Sequence, residues 1–499
     1  MNKHTYISAF FLLIVFQFIV KSSKAQTYFN NEYEVSTLGN MVSPFADSTG
    51  YIAIGTYSKL NQKELSFVRL DINGDTIWTK NYGVENYLTA ATGNITNIGD
   101  TNFVFVGGIF LDTANSSLDS SQIILFKIDS SGNVLWNYRF GDLGVRNSPT
   151  DIKKTPDGGY VIAGWTTGWG TFNTISSFLL KVDSNGLEEW HRIYGGGDVR
   201  QAYSVEVTAD SGYVMAGEIR PTGGTNTDLN VIKTDSLGNL LWNKNYGTPE
   251  KDNGFTYITR YGLTDDYIVV GGVDIAPSTP LDAQGFIARI TGLDGSIVWT
   301  DTMGVVQNGI NEVFNSNVII LPDGSIVGIG GTSDNGIEAW LIKYDGNGNL
   351  LWKRDFDKYG GNSRNYFWDV HQTYDNGFVI CGDLLNTNIP EKNLWVLKLD
   401  SNGCEIPNCT VGVSENLTSK EELLVYPNPS SGIINFKLLE TTKNASTQLF
   451  LFDITGKTIL NTSFRASAKQ LDVSSYPKGI YFYQLINGKE RYSGKVVIQ

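Results

Sequence analysis

The sequence predicts an all-β chain, and two observations carry that prediction. Short runs of Tyr, Phe, Val and Ile alternate with clusters of Asn, Asp, Ser and Gly, as strands and turns do, and no segment sustains a helical period. A motif also keeps returning: DINGDTIW (71–78), DSSGNVLW (129–136), DSNGLEEW (183–190), DSLGNLLW (235–242), GLDGSIVW (292–299) and DGNGNLLW (345–352). The steps between its tryptophans are 58, 54, 52, 57 and 53 residues. A fixed period near 50 residues, built from strands, signals a propeller or another repeat array.

Ahead of the repeats stands a predicted secretory signal peptide, residues 1–25. Lys3 precedes an apolar run (AFFLLIVFQFIV, 9–20), and Ser23-Lys24-Ala25 is a small-x-small cleavage pattern. The run is shorter than the roughly 20 residues of a spanning helix, so an amino-terminal membrane anchor is the weaker reading. No transmembrane segment is expected later. Without the leader the chain has 35 basic and 51 acidic residues, a net charge of −16. That charge argues against nucleic acid and against docking on anionic lipid, both of which need clustered Lys and Arg.

Each repeat reads as four strands. In the third unit these are TDIKKT (150–155), YVIAGWT (160–166), SFLLKVD (177–183) and LEEWHRIYG (187–195), joined by PDGG and SNG turns that suit Asn, Asp and Gly. The second strand recurs seven times, from GYIAIGT (50–56) to GFVICGDL (377–384). The third also recurs seven times, from SFVRLD (66–71) to WVLKLD (395–400). The prediction is a seven-bladed β-propeller over residues 26–403. Trp78, Trp136, Trp190, Trp242, Trp299 and Trp352 are assigned to packing between blades, with sugar-stacking as the alternative. The Asp opening each turn is expected to cap it.

The spacing Asp-x-x-Gly-x-x-x-Trp resembles the tryptophan-docking motif of quinoprotein-like propellers and their noncatalytic relatives, over roughly residues 30–410. The resemblance implies strands ordered from inside to outside, with the Trp opening the outermost one. It implies no quinone chemistry here: there is no vicinal cysteine pair and no cofactor clamp, so no cofactor is expected. The seventh copy, DSNGCEIP (400–407), places Pro407 where the Trp belongs, and Pro makes a poor outer strand. The stretch TYFNNEYEV (27–35) has no blade of its own and is expected to supply that missing strand.

Of the three cysteines, Cys381 lies in an apolar strand and reads as a buried free thiol. Cys404 and Cys409 bracket CEIPNC and read as a disulfide in an exported protein, with a metal site as the weaker alternative. Residues 404–422 form a linker. From residue 423 to residue 499 the Trp repeat is gone. Tyr426, Pro427, Asn428, Pro429 and Gly432 open this part; Asp453, Gly456 and Lys457 form a hairpin; Pro477, Gly479 and Tyr481 begin a late strand. This part resembles the type A carboxy-terminal sorting domain of the type IX secretion system. The resemblance implies a small immunoglobulin-like β-sandwich, the secretion machinery as partner, and a protein released or held at the outer surface.

Chemistry-bearing residues are sparse. His191 sits in a variable polar slot of an outer strand. His371 aligns with Lys153, Glu206 and Ile319, which suggests no shared role. No Gly-x-Ser-x-Gly elbow and no His or Cys cluster for zinc is present. DINGD (71–75) and DGNGN (345–349) resemble half of a calcium loop, but Tyr82 and Phe356 stand where an EF-hand carries Glu, so hairpin turns are preferred. Counting thirteen residues back from the second-strand Gly gives Val42, Asn94, Asp151, Ser204, Asn317 and Asp369, with Thr256 nearby in the fifth unit. These would open the innermost strands at one mouth of the central channel, as turn-ending residues or as a ligand-contacting ring. Five Asp-Ser/Thr-apolar triplets, at Asp47, Asp75, Asp112, Asp235 and Asp301, resemble the O-glycosylation signal of bacteria with this secretion system. The functional expectation is a noncatalytic binding or adhesion module for a glycan or protein ligand, displayed outside the cell. The alternative is a polysaccharide-degrading enzyme using channel carboxylates.

Overall fold

Turn chemistry sets the local structure. Asp129 accepts the backbone N–H groups of Ser131 (2.9 Å) and Asn133 (2.8 Å) on one carboxylate oxygen. Asp71, Asp183, Asp235, Asp345 and Asp400 do the same at the equivalent turns. Where the fifth unit lacks this Asp, the Thr291 hydroxyl accepts from Ser296 N at 3.2 Å. Gly132 closes its turn at φ +75°, a left-handed conformation that favours glycine.

The computed structural model describes residues 27–499 apart from 34–37, 46, 60–61, 84–86, 91–92, 98–101, 112–119, 170–173, 225, 248–255, 275–282, 305–310, 334–336, 360–362, 387–391, 407–422, 439–446, 454–457, 466–467 and 488–489. The expected leader, Pro407, Cys409, Gly456 and Lys457 therefore lie outside the described residues. The chain divides into two compact units, Met1–Cys409 and Thr410–Gln499.

In the first unit, strand pairing resolves into seven antiparallel four-stranded blades among the described residues. The third blade is Asn147–Lys154, Tyr160–Thr166, Ser176–Val182 and Glu188–Tyr194, paired in sequence order. The first strands of the others are Leu38–Pro44, Ile95–Asn97 with Tyr87–Ala90, Val199–Val207, Tyr257–Arg260, Asn311–Ile320 and Ser363–Gln372. Apolar side chains fill the space between consecutive blades. Phe67 with Phe105 joins blades one and two, Ile162 lies in the core shared by blades two and three, and Trp395 lies in the core shared by blades six and seven. One cluster brings Val42 and Val68 of the first blade against Cys381 and Val396 of the seventh, so the ring is closed. Cys381 is a buried free thiol, and burial pushes its pKa well above the usual thiol range.

The tryptophans dock as mortar between blades. A Cβ added at Gly132, Gly186, Gly238, Gly295, Gly348 or Gly403 would come within 2.8–3.1 Å of the Trp ring of the preceding blade. Each glycine thus leaves room for the indole against the next blade's turn. Trp78 Nε1 donates to Ser130 O (3.3 Å) and Trp242 Nε1 to Gly292 O (3.2 Å). Four residues after the Trp, Tyr194 and Tyr246 donate to Gly238 O (2.7 Å) and Gly295 O (2.6 Å) of the same turns.

The seventh blade is completed by the other end of the chain. Phe29–Tyr33 pairs antiparallel with Lys392–Leu399, placing Phe29 opposite Lys398. Trp190 and Trp242 stand opposite Lys181 and Lys233 in the same way, so Phe29 occupies the Trp slot. Its ring packs on Gly74 of blade one, and the Tyr33 hydroxyl donates to Gly74 O. Side chains fix the register further. Trp395 Nε1 donates to Asn30 Oδ1 at 2.7 Å, and Glu32 meets Lys358 at 3.4 Å and Asn393 at 3.3 Å.

The second unit contains two antiparallel sheets. Leu423–Tyr426, Ile433–Leu438 and Ala468–Asp472 form one; Thr458–Phe464, Thr447–Phe452, Gly479–Asn487 and Glu490–Ile498 form the other. Alternating residues such as Phe436, Leu449, Leu485 and Val496 face a common buried core, as two stacked sheets require.

Candidate functional site

The first strands of all seven blades line one cavity of about 500 Å³. The residues at equivalent pairing positions in these strands are Ser43, Thr96, Lys153, Glu206, Thr259, Ile319 and His371, one from each blade. Strand alternation puts every second residue on one side, so one slot per blade repeats around the ring. Asn94, Asn317, Gln372 and Tyr374 add to the wall.

The ring expected from the sequence stands two residues earlier and does different work. Asn94 Nδ2 of blade two donates to Asp151 Oδ1 of blade three (2.9 Å), and Val205 N of blade four donates to Asp151 Oδ2 (3.0 Å). Ser204 Oγ continues the belt to Ile258 O of blade five at 3.2 Å. Across the ring the pattern repeats: Asn317 Nδ2 of blade six donates to Asp369 Oδ1 (2.9 Å), and Val42 N of blade one donates to Asp369 Oδ2 (3.1 Å). Asp151, Ser204 and Asp369 are only 3%, 3% and 2% exposed, whereas Asn94 and Asn317 line the cavity. Two positions need correcting. The turn from Pro44 to Tyr51 is one residue longer than that from Lys154 to Tyr160, so the blade-one slot belongs to Met41 rather than Val42. In blade five the slot holds Tyr257, not Thr256.

A second correction concerns His371, Lys153, Glu206 and Ile319. Their alignment suggested no shared role, yet all four line the cavity. The signal was available: three of these four equivalent positions carry a charged or titratable side chain. His371 Nε2 lies 3.3 Å from Asp369 Oδ2, and Lys153 Nζ lies 3.2 Å from Asp151 Oδ2. Burial works against the Lys153 charge, but Asp151, Glu206 and Asp369 outweigh it and hold its pKa above the ordinary value. Burial raises the pKa of Glu206, and the Lys153 charge offsets only part of that rise. His191 is elsewhere, on the outer strand of blade three, stacked on Trp169 (centroids 4.2 Å apart) with Nδ1 2.7 Å from Glu188. Among the described residues no group of three His, Cys, Asp or Glu is arranged to hold a metal ion. The Asp71 and Asp345 carboxylates accept turn N–H groups instead.

In the second unit the opening motif is tied to the last strand. Asn428 of Tyr426-Pro427-Asn428-Pro429 bonds the last strand from both ends of its amide: Nδ2 to Lys495 O and Oδ1 from Val497 N, each 2.8 Å. Ser430 N donates to Val497 O (2.9 Å), and Gly432 N to Ser430 Oγ (3.2 Å). Tyr481 OH donates to Pro477 O at 2.8 Å, which pins the start of the late strand beginning at Gly479. The opening motif is thereby stitched to the chain's final strand. Residues 424–499 match the family described as secretion system C-terminal sorting domain. They are a type IX secretion sorting domain. Asp453 of the motif set is described, at the end of Thr447–Phe452. The sorting domain directs export, with secretion or attachment at the outer surface as the destination.

No curated protein matches the chain. Similar solved structures include a protein of unknown function from Bacteroides caccae, at 12% identity and TM-score 0.36, covering 62% of this chain and 95% of that one. Another, of unknown function from Dyadobacter fermentans, has 12% identity and TM-score 0.43 and covers 64% and 96%. The β-propeller domain of the Trilobed protease from Pyrococcus furiosus has 12% identity and TM-score 0.38 and covers 79% and 98%.

Proposed function

We propose that the propeller is a noncatalytic binding module, carried outside the cell by its sorting domain, with the seven-blade cavity as its ligand site. The observation that carries this reading is the composition of the cavity wall. Ser43, Thr96, Thr259, Asn94, Asn317 and Tyr374 all line a space of about 500 Å³. Polar residues beside an aromatic, in a volume of this size, suit a glycan end. In this reading Asn94 and Asn317 touch the ligand, and Asp151, Ser204 and Asp369 hold the strands that present it.

The enzyme reading draws on the elevated pKa of Glu206, the property of a general acid. Glycoside hydrolysis ordinarily needs two carboxyl groups facing the substrate. Asp151 and Asp369 are buried and bonded to neighbouring blades, so Glu206 is the one carboxylate on the cavity wall among the described residues. That favours binding over cleavage. The test is a glycan array probed with the full exported chain and with Thr96→Trp, which fills the cavity. Binding should fall at least about tenfold in the variant, with mass analysis showing intact glycan. Binding unaffected by Thr96→Trp, or cleaved product that disappears in Glu206→Gln, would reject the proposal.

The same reading includes leader removal after Ala25 and a Cys404–Cys409 bridge across the start of the linker. Cys404 is 2% exposed, in the turn that receives Trp352. Amino-terminal sequencing of secreted protein should begin at residue 26. Alkylation without reduction should leave both cysteines unmodified; alkylated Cys404 would show that the bridge does not form.

A further inference from the structure

We propose that the cavity takes an amino sugar, with the protonated amine received by the Glu206 carboxylate. This rests on the cavity being the binding site and names its ligand class. The cavity wall carries more negative than positive charge: Glu206 faces it with Asp151 and Asp369 close behind. Three carboxylates, Asp151, Glu206 and Asp369, act on the single ammonium of Lys153. Asp151 takes the lysine in hydrogen bonds to both of its oxygens, at 3.3 and 3.2 Å. Glu206, facing the cavity from the adjacent blade, accepts the backbone N–H of Val207 at 3.0 Å and has acceptor capacity left over. Asp369 is likewise shared among Asn317, Val42 N, Val370 N and His371.

An anionic sugar would meet the Glu206 carboxylate beside a lysine already held by Asp151, with Arg260 as the weaker positive influence. A neutral sugar would leave that carboxyl desolvated and only partly satisfied, at the cost of any buried acceptor lacking a donor. An ammonium on the ligand removes both problems and forms a charge-assisted hydrogen bond. Burial is the main cause of the raised Glu206 pKa, with Lys153 and Arg260 opposing it only in part, and a cationic ligand would oppose it further. The hydroxyls of Thr96 and Thr259 and the ring of Tyr374 supply contacts for the sugar. The net charge of −16 on the leaderless chain draws cations toward it.

Isothermal titration of the full exported chain with glucosamine disaccharide, its N-acetylated counterpart and a galacturonic acid disaccharide tests the proposal. The amine form should bind at least about tenfold tighter than the acetylated form, and Glu206→Gln should bring that ratio to about one. The melting curve of Glu206→Gln, expected to match the parent, separates lost recognition from lost folding. Equal or tighter binding of the neutral or acidic sugar, a ratio that survives Glu206→Gln, or no binding of the amine overturns the assignment. So does a lysine dipeptide that binds with the same Glu206 dependence while the sugar does not. If neutral glycans on the array are captured and Thr96→Trp abolishes the capture, the binding module stands and this assignment alone falls.

Discussion

Deleting residues 27–33 is expected to destabilise the propeller by on the order of 5 kcal/mol, more than any single blade tryptophan contributes. The deletion removes Phe29 from its seat on Gly74, the Tyr33 hydrogen bond to the same turn, and the Asn30 and Glu32 contacts to Trp395 and Lys358. It also bares the edge of Lys392–Leu399, and an unpaired strand edge invites association. Phe29→Ala alone should cost about 2–3 kcal/mol because the ring is half-buried. Trp352→Ala, at 9% exposure, should cost about 3–5 kcal/mol. Urea unfolding of the three variants measures the ranking. A synthetic 27–35 peptide added to the deletion variant should restore part of the loss and suppress aggregation. A midpoint unchanged by the deletion would mean that the ring closes without this strand.

Lys398→Met is expected to cost about 3–5 kcal/mol and to invert the response of stability to acid. Lys398 and Asp375 form an ion pair at 2.9 Å with both side chains fully buried. Asp375 also accepts from Thr373 Oγ1 (2.5 Å) and Gly377 N (3.1 Å). Burial opposes the Asp375 charge, but the bonds from Thr373 and Lys398 outweigh it and hold its pKa below the usual carboxylate value. A carboxylate with a depressed folded pKa stabilises above its unfolded value, near pH 4, and loses that contribution as pH falls through the lower folded value. Burial also lowers the Lys398 pKa, despite the opposing pull of Asp375. Stability therefore rises as pH climbs through that lower value toward the ordinary one. In Lys398→Met the Asp375 carboxylate is buried without its cation, its pKa moves up, and protonation becomes favourable. Between about pH 6 and pH 4 the parent should hold or lose stability while the variant recovers some. Parallel stability curves for the two would show that the pair is electrostatically unimportant.

The cavity shows how a repeat argument can find the right strand and miss the working position. Counting back from the second-strand glycine located the innermost strands in six units and landed on Asn94, Asp151, Ser204, Asn317 and Asp369. Their small polar character fits residues that end turns and bond backbone groups as well as it fits a ligand-contacting ring. Asp151, Ser204 and Asp369 are turned into hydrogen bonds with adjacent blades, and the slot two residues on reaches the cavity. Period-two alternation put both positions on one side of the strand, so pattern alone could not separate them. The decisive contacts run from blade two to blade three and from blade seven to blade one, between residues 57 and 327 positions apart.

By itself the sequence determined what is local. The Asp-capped turns and the Trp slot rest on residues within a few positions of one another, and the four-strand period and the sorting domain on short motifs of that kind repeated or set in order along the chain. It also yielded the outer strand of the last blade, because Pro407 and a strand without a partner left one arrangement. Tertiary structure alone decided that Phe29 stands in for a tryptophan, since that depends on its register against Lys398 and its contact with Gly74. It alone decided that Lys153, Glu206 and His371 share a wall. Closing a ring brings equivalent positions of distant repeats to one axis, and each repeat, read singly, carries no information about what the other six place opposite it.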